Sequence, residues 1–376
     1  MTGRKPSPHV LTLRALNRAM LARQMLLARQ RVPVVTAIER LAALQAQWAP
    51  SPYIALWSRL VAFERERLWK EIENARVIRA RLMRGTLHLV SARDFYAFAV
   101  ATQDLQLGAW NRLQIGQGVD PKVVARVATA FAKRPRAKEE VLAHLGERVG
   151  KLGEDFGWLI WRFVSAHADL VSAPPGGRWD YGGTDAPYVA ARHWMKGNGS
   201  RPTEDAALEH LVRRSLAAFG PLTLVDIAKF AGQVPARIRP ALERLAPALA
   251  TFADEQRRTL YDVRGAPHPS AETAAPVRFL PRYDELLIAY QHRDRVMPER
   301  HRGNVYSKNA IVEAVVMVDG FGAGIWALER TKTDAIVRVR PFSKLAPKDR
   351  TEVLAEGERL ARFMAPETKT HGVRVS

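Results

Sequence analysis

Apolar residues in the first quarter of the chain recur at helical spacing, and the period then switches to two. Leu13, Leu16, Met20 and Leu27 mark a helix over residues 12–28, with Thr12 as an acceptable cap. Ile38, Leu41 and Leu44 step by three, and Trp48 follows by four, which predicts a helix over 36–47. Pro50 and Pro52 stop it, because a residue before proline is pushed out of the α region. Residues 53–60 and 65–74 read as two further helices. From Arg79 to Val90 apolar and polar residues alternate around Gly85, the pattern of paired strands meeting at a turn or bulge.

The same grammar recurs twice. Helices are predicted over 123–133, 138–146 and 158–164, followed by strand, Pro/Gly turn and strand over 168–181. Thr203 caps a helix over 204–219, Gly220-Pro221 breaks it, and 224–230 with 234–245 form a helix-turn-helix pair. Strands then flank Asp254-Glu255-Gln256 within 249–263. Helix, turn, helix and hairpin is the layout of a winged helix, although the three copies do not align letter by letter. From Val277 the texture is β, with Asp319-Gly320 between apolar runs as a strong hairpin signal, a strand over 334–339 and a closing helix over 346–363. The expected fold is mainly α with β, an α+β chain. Three winged-helix units stand in tandem at 10–118, 119–200 and 201–275, followed by a β-barrel-like domain at 276–365 and a flexible tail at 366–376.

Composition changes the picture through charge. Over 376 residues, 58 Lys and Arg face 38 Asp and Glu, for a net +20. The bases fall in short clusters along the whole chain, and a folded body with that excess attracts a polyanion, nucleic acid first. The absence of cysteine excludes disulfides, thiolate zinc sites and cysteine-ligated iron–sulfur clusters. The lead around Arg4, Lys5, Pro6 and Pro8 lacks a signal-peptide run, and the apolar stretch 310–328 is interrupted by Glu313 and Asp319. A soluble, cytoplasmic protein without membrane contact is expected. No Walker, GxSxG or HExxH sequence occurs, the 10 histidines lack ligand spacing, and the glycines of 320–324 suit a hairpin better than a nucleotide loop. No metal or cofactor is expected.

Chemistry-bearing candidates are few. Gln45 and Gln47 stand two residues apart, about 200° around an unbroken helix, so they could serve one point only at a fraying helical end. A solvated helix end is the bland alternative. Arg79, Arg81, Arg84 and His88 place four bases on one hairpin, suited to phosphates or a groove, or else a soluble strand face. Paired carboxylates at hydrolase-like positions are missing except Asp284-Glu285, with Asp284 either near a site or at a structural corner. Tyr53, Trp57, Trp158 and Trp161 fall at core spacing.

Leu44-Gln45-Ala46-Gln47, then Ala55 to Arg59, Met83 to Leu89 and Phe279 to Glu285 resemble, in that order, the AlkZ-like winged-helix DNA glycosylases. The resemblance spans about residues 10–365. It implies three winged-helix units and a C-terminal β-barrel clasping a duplex. It also implies a catalytic glutamine–aliphatic–glutamine motif at Gln45, Ala46 and Gln47, and DNA contacts from Arg59, Arg79, Arg81, Arg84, Thr86 and His88. A sister branch carries aspartate at the second position, so Gln47 sets this chain in the glutamine branch. The implied activity is monofunctional hydrolysis of the N-glycosidic bond of bulky or cationic N7-alkylated purines, at its widest including interstrand crosslinks, with water placed by the two amides. The partner would be double-stranded DNA carrying alkylated purines, with no obligate protein partner. A winged-helix DNA-binding protein without enzymatic activity, such as a regulator, is the alternative, because the same basic hairpins serve binding alone.

Overall fold

The computed structural model describes residues 9–112, 118–150, 157–182, 185–196 and 199–376; the charged lead at Arg4 and Lys5 lies outside them. Among the described residues the strands are β1 (Val10–Leu11), β2 (Leu44–Gln45), β3 (Val77–Arg81), β4 (Leu87–Ser91), β5 (Leu170–Ser172), β6 (Tyr188–Ala190), β7 (Leu249–Asp254), β8 (Thr259–Val263), β9 (Arg278–Leu280), β10 (Val315–Val318), β11 (Phe321–Arg330), β12 (Asp334–Pro341) and β13 (Thr370–Val375). They form three sheets ordered β1-β7-β8, β2-β4-β3-β5-β6 and β13-β12-β11-β10-β9, with helices packed around them. The α+β class holds. The middle sheet spans the boundary expected at residue 118, since Ala80 of β3 pairs with Val171 of β5.

Where caps and period agree, the elements fall as expected. Thr12 Oγ1 accepts from Ala15 N at the head of the helix Leu13–Arg23, and Thr203 does the same for the helix Glu204–Phe219. Thr223 and Asp226 form a reciprocal capping box on the helix Leu224–Ala231, and left-handed Gly232 ends it before the helix Pro235–Leu245. Arg79 to Val90 is the antiparallel β3–β4 hairpin, closed through Met83–Gly85 with Arg84 and Gly85 both at positive φ. Between β10 and β11, Asp319 and Gly320 both take positive φ, as a tight hairpin turn requires. A Cβ on Gly320 would lie 2.5 Å from Leu21 Cδ1, so the first helix packs directly on this turn.

Three expectations for the C-terminal sheet, the tail and the strand after β5 fail. The C-terminal sheet is open among the described residues: β9 and β13 are its two ends and do not pair with each other. The helix Pro347–Met364 and the side chains of Ile54 and Trp57 share its apolar cluster, so its inner face is buried by helices and needs no closure into a barrel. The expected tail instead contributes β13, six residues parallel to β12, because the chain returns after the helix to a strand edge with unpaired backbone groups. The second strand after β5 is β6, later than residues 178–181, which form the loop beside the cavity described below. Among the described residues no helix is long and apolar enough to cross a membrane.

Asp94, in the first turn of the helix Ala92–Thr102 that follows β4, ties that helix to the helix Glu204–Phe219. Its Oδ1 accepts from Arg214 Nη2 at 2.7 Å and His210 Nε2 at 2.9 Å. Burial pushes this carboxyl up, but His210 and Arg214 outweigh it and hold it below the usual value of 3.8. A carboxylate depressed on folding adds stability above its unfolded value and loses it as pH falls through the folded one. Asp94→Asn is therefore expected to cost about 2 kcal/mol at pH 7, the scale of hydrogen bonds to a charged group. Urea unfolding should show the gap closing below pH 3.8; a gap independent of pH would mean that the carboxylate charge contributes nothing.

Candidate active site

The helix expected over 36–47 stops at Arg40. Ala42 takes a left-handed φ of 63°, and the chain enters β2 at Leu44. Spacing alone could not separate the two outcomes, because Leu41 and Leu44 are buried in either. The free edge of β4 decides it: Leu44 pairs with Leu89, Gln45 with His88, and Ala46 N donates to Leu87 O at 2.7 Å. Strand pairing gives backbone groups that a frayed helical end would leave open a fixed set of partners.

Side chains of directly paired residues share a sheet face, so Gln45 stands in one row with His88 and Ala80. Arg79, Arg81 and Leu87 belong to the opposite face. Gln47, past the end of β2, lines a cavity on that second face. The two amides thus flank the end of one edge strand. Gln45 is 6% exposed and Gln47 is exposed. Both carbonyl oxygens are anchored on the same hairpin. Gln47 Oε1 accepts from Leu87 N at 3.0 Å, and Gln45 Oε1 from Arg84 Nη2 at 3.5 Å. A backbone N–H and a guanidinium have no acceptor, so only the oxygen of each amide can face them. Among the described residues neither NH₂ group donates to another protein atom.

Behind Gln45 lies a buried charge cluster. Arg84 Nη2 donates to Glu285 Oε1 at 2.7 Å and Oε2 at 2.9 Å, while its Nη1 donates to Phe230 O at 2.6 Å. His88 Nε2 stands 2.8 Å from Glu285 Oε1, and its Nδ1 stands 2.9 Å from the Thr86 carbonyl. That carbonyl can only accept, so Nδ1 carries a proton. The contact between Nε2 and Oε1 is short, and Nε2 also lies 3.1 Å from Arg84 Nη2, which can donate to it. Burial pushes the imidazole down against the pull of Glu285. It pushes the Glu285 carboxyl up, but Arg84 and His88 outweigh it and hold that group below the usual range.

The cavity beside Gln47 measures about 470 Å³ and combines aromatic and cationic walls. Trp48, Trp161, Trp179 and Tyr188 supply ring faces and edges; Arg79, Arg81 and Lys138 supply charge, against Asp180 alone. Arg79 is held by Ser172 Oγ at 3.0 Å and Ala46 O at 3.2 Å, and Arg81 by Gly85 O at 2.7 Å. Burial pushes the Arg81 guanidinium down to about 10, so it stays charged at neutral pH. An aromatic, cation-lined recess suits a planar ring attached to a phosphodiester chain.

Comparison with known proteins places this geometry in a family. The family described as DNA glycosylase AlkZ-like matches residues 38–363. The chain belongs to the AlkZ-like DNA glycosylases. An "Interstrand DNA cross-link repair glycosylase" of Streptomyces sahachiroi is 24% identical over 344 residues, 85% of this chain and 88% of that protein. The structure of Streptomyces sahachiroi DNA glycosylase AlkZ superposes with a TM-score of 0.78, covering 98% of this chain and 100% of that one at 18% identity. Membership sets aside the reading of a DNA-binding protein without enzymatic activity.

Within an AlkZ-like glycosylase the sequence-derived site residues divide sharply. Gln47, Arg79 and Arg81 reach the cavity, and Gln45 and Arg84 lie just behind it. His88 and Arg59 do not reach a duplex: both are fully buried, one in the Glu285 cluster and the other in a bidentate pair with Asp284 at 2.9 Å. Asp284 is the structural corner, capping the short helix Glu285–Ile288 through Leu286 N. Thr86 Oγ1 donates to Met83 O, and Arg84 pairs with Glu285. Trp161 lines the cavity, while Trp158, expected in the core, is 60% exposed under Arg162. Sequence reasoning passed over Glu285 in favour of its neighbour Asp284, and it missed Lys138, Trp179 and Tyr188. The signal for Glu285 was its place in the lone carboxylate pair of the chain's β-rich end.

Proposed function

We propose that this glycosylase hydrolyses the N-glycosidic bond of bulky or cationic N7-alkylated purines, including purines joined in interstrand crosslinks, with water placed by Gln45 and Gln47. The observation that carries the reading is the exposed Gln47 amide on the wall of an aromatic, cation-lined cavity, its oxygen already oriented by Leu87 N. A purine alkylated at N7 carries a positive ring and leaves without strong acid assistance. Water oxygen bonds to C1′ as the C1′–N9 bond breaks, the bonding pair moves onto the purine and cancels its charge, and the water proton passes to solvent. The sugar goes through an oxocarbenium-like state. Each amide oxygen keeps a second lone pair for water or developing positive charge, and each unspent NH₂ can hold a sugar or phosphate oxygen. Neutral amides serve at any physiological pH.

The aromatic walls stack on the damaged ring, and Arg79, Arg81 and Lys138 hold the flanking phosphates. The crosslink-repair relative supports the wider substrate range. Duplexes carrying N7-methylguanine or a nitrogen-mustard crosslink provide the test. Purified protein should release free base and leave an intact abasic strand. Tight duplex binding without release would end the reading. Strand scission with a borohydride-trapped adduct at Lys138 would replace monofunctional hydrolysis by lyase chemistry.

A further inference from the structure

The cluster behind Gln45 joins three distant parts of the chain at one guanidinium. Arg84 sits at the tip of the β3–β4 hairpin with a left-handed φ of 54°, a conformation uncommon for a residue with a side chain. Phe230 O comes from the helix Leu224–Ala231, and Glu285 from the short helix after β9. Gly232 presses on the same point: a Cβ there would lie 2.6 Å from Arg84 Cα. Such over-determination holds a strained residue in place.

The Nη2 nitrogen of Arg84 has two hydrogens and four neighbours: both Glu285 oxygens, His88 Nε2 at 3.1 Å and Gln45 Oε1. One hydrogen serves the carboxylate. The second lies between His88 Nε2 at 3.1 Å and Gln45 Oε1 at 3.5 Å. Whenever Nε2 carries a proton toward Glu285, that hydrogen falls to Gln45. We propose that Glu285, acting through Arg84, is a positioning residue for Gln45: it aims a guanidinium at the amide oxygen, which fixes that oxygen inward and turns the NH₂ group away from the cation. Without the carboxylate, Arg84 loses its anchor and the amide is free to rotate by half a turn. This rests on the catalytic reading of Gln45.

The test is a double-mutant cycle on single-turnover base release from N7-methylguanine duplex, using the full chain. Glu285→Gln keeps shape and removes charge. It should slow release roughly 10- to 100-fold, the scale of a misplaced catalytic group, with duplex affinity unchanged. In a Gln45→Ala background the same change should cost nothing further, because the amide it positions is gone. Equal losses in both backgrounds would overturn the proposal and leave the catalytic reading of Gln45 standing. A Gln45→Ala protein with full activity would overturn that reading and the proposal with it. If Glu285→Gln does not fold, Arg84→Lys takes its place in the cycle: it keeps a cation for Glu285 but lacks the planar fork that reaches Phe230 and Gln45 together. The same two outcomes then decide.

Discussion

Gln47→Ala and Gln45→Ala are each expected to slow base release by roughly 10²- to 10³-fold while duplex affinity holds, the loss seen when one preorganised polar group is removed from a reacting centre. The two losses should differ in origin. Gln47 is exposed on the cavity wall, so its removal opens space and takes away both the second lone pair of Oε1 and an NH₂ group with no protein partner. Gln47→Glu separates these contributions. A carboxylate oxygen can still accept from Leu87 N, but the variant has no NH₂ and adds a negative charge beside phosphates. If Gln47→Glu retains the wild-type rate, the oxygen is the working end. Single-turnover release and duplex affinity measured side by side are decisive. Equal loss of both would mean that the glutamines only shape the binding surface.

How much of this site could be read before folding depends on which competing signals each residue faced. Residues 204–219 carried a threonine cap, a helical stripe and a terminal Gly-Pro, and all three pointed one way; the helix has those bounds. The β3–β4 hairpin was legible because its period of two is interrupted at Gly85, where the turn lies. β2 was not, because a two-residue strand has no period, and its apolar neighbours fit a helix equally well. β13 was hidden for another reason: Thr370, His371 and Arg374 look solvated, and the energy that orders them is backbone pairing with β12. The glutamines themselves were legible only through resemblance to a family, since two amides in a row of apolar residues specify no chemistry. The arginines show the sharpest limit. Arg59 and Arg81 both lie among apolar residues, yet one is sealed in the core and the other lines the cavity. Burial separates them, and burial follows from contacts hundreds of residues away.

That difference gives the largest expected effect on stability. Arg59 and Asp284 are each about 1% exposed in their side chains and meet through two hydrogen bonds of 2.9 Å. Arg59 also donates to Gln24 O and Ala55 O, so one guanidinium joins the first helix, the helix Ser51–Arg59 and the turn after β9. Removing one partner strands the other charge in a dry interior. Arg59→Ala and Asp284→Ala should therefore each lower stability by roughly 3–5 kcal/mol, seen as a lowered urea midpoint at unchanged slope. Asp284→Ala should also slow base release in the protein that remains folded. It uncaps the helix that begins at Glu285, and Glu285 is the anchor of Arg84. Arg59→Ala leaves that cap in place and should mainly cost stability. In duplex binding below the unfolding transition, Arg59→Ala should keep the salt dependence of the unmodified protein, because a sealed guanidinium releases no counterions from DNA. A slope reduced by about one phosphate contact would instead put Arg59 at the interface and reverse the assignment.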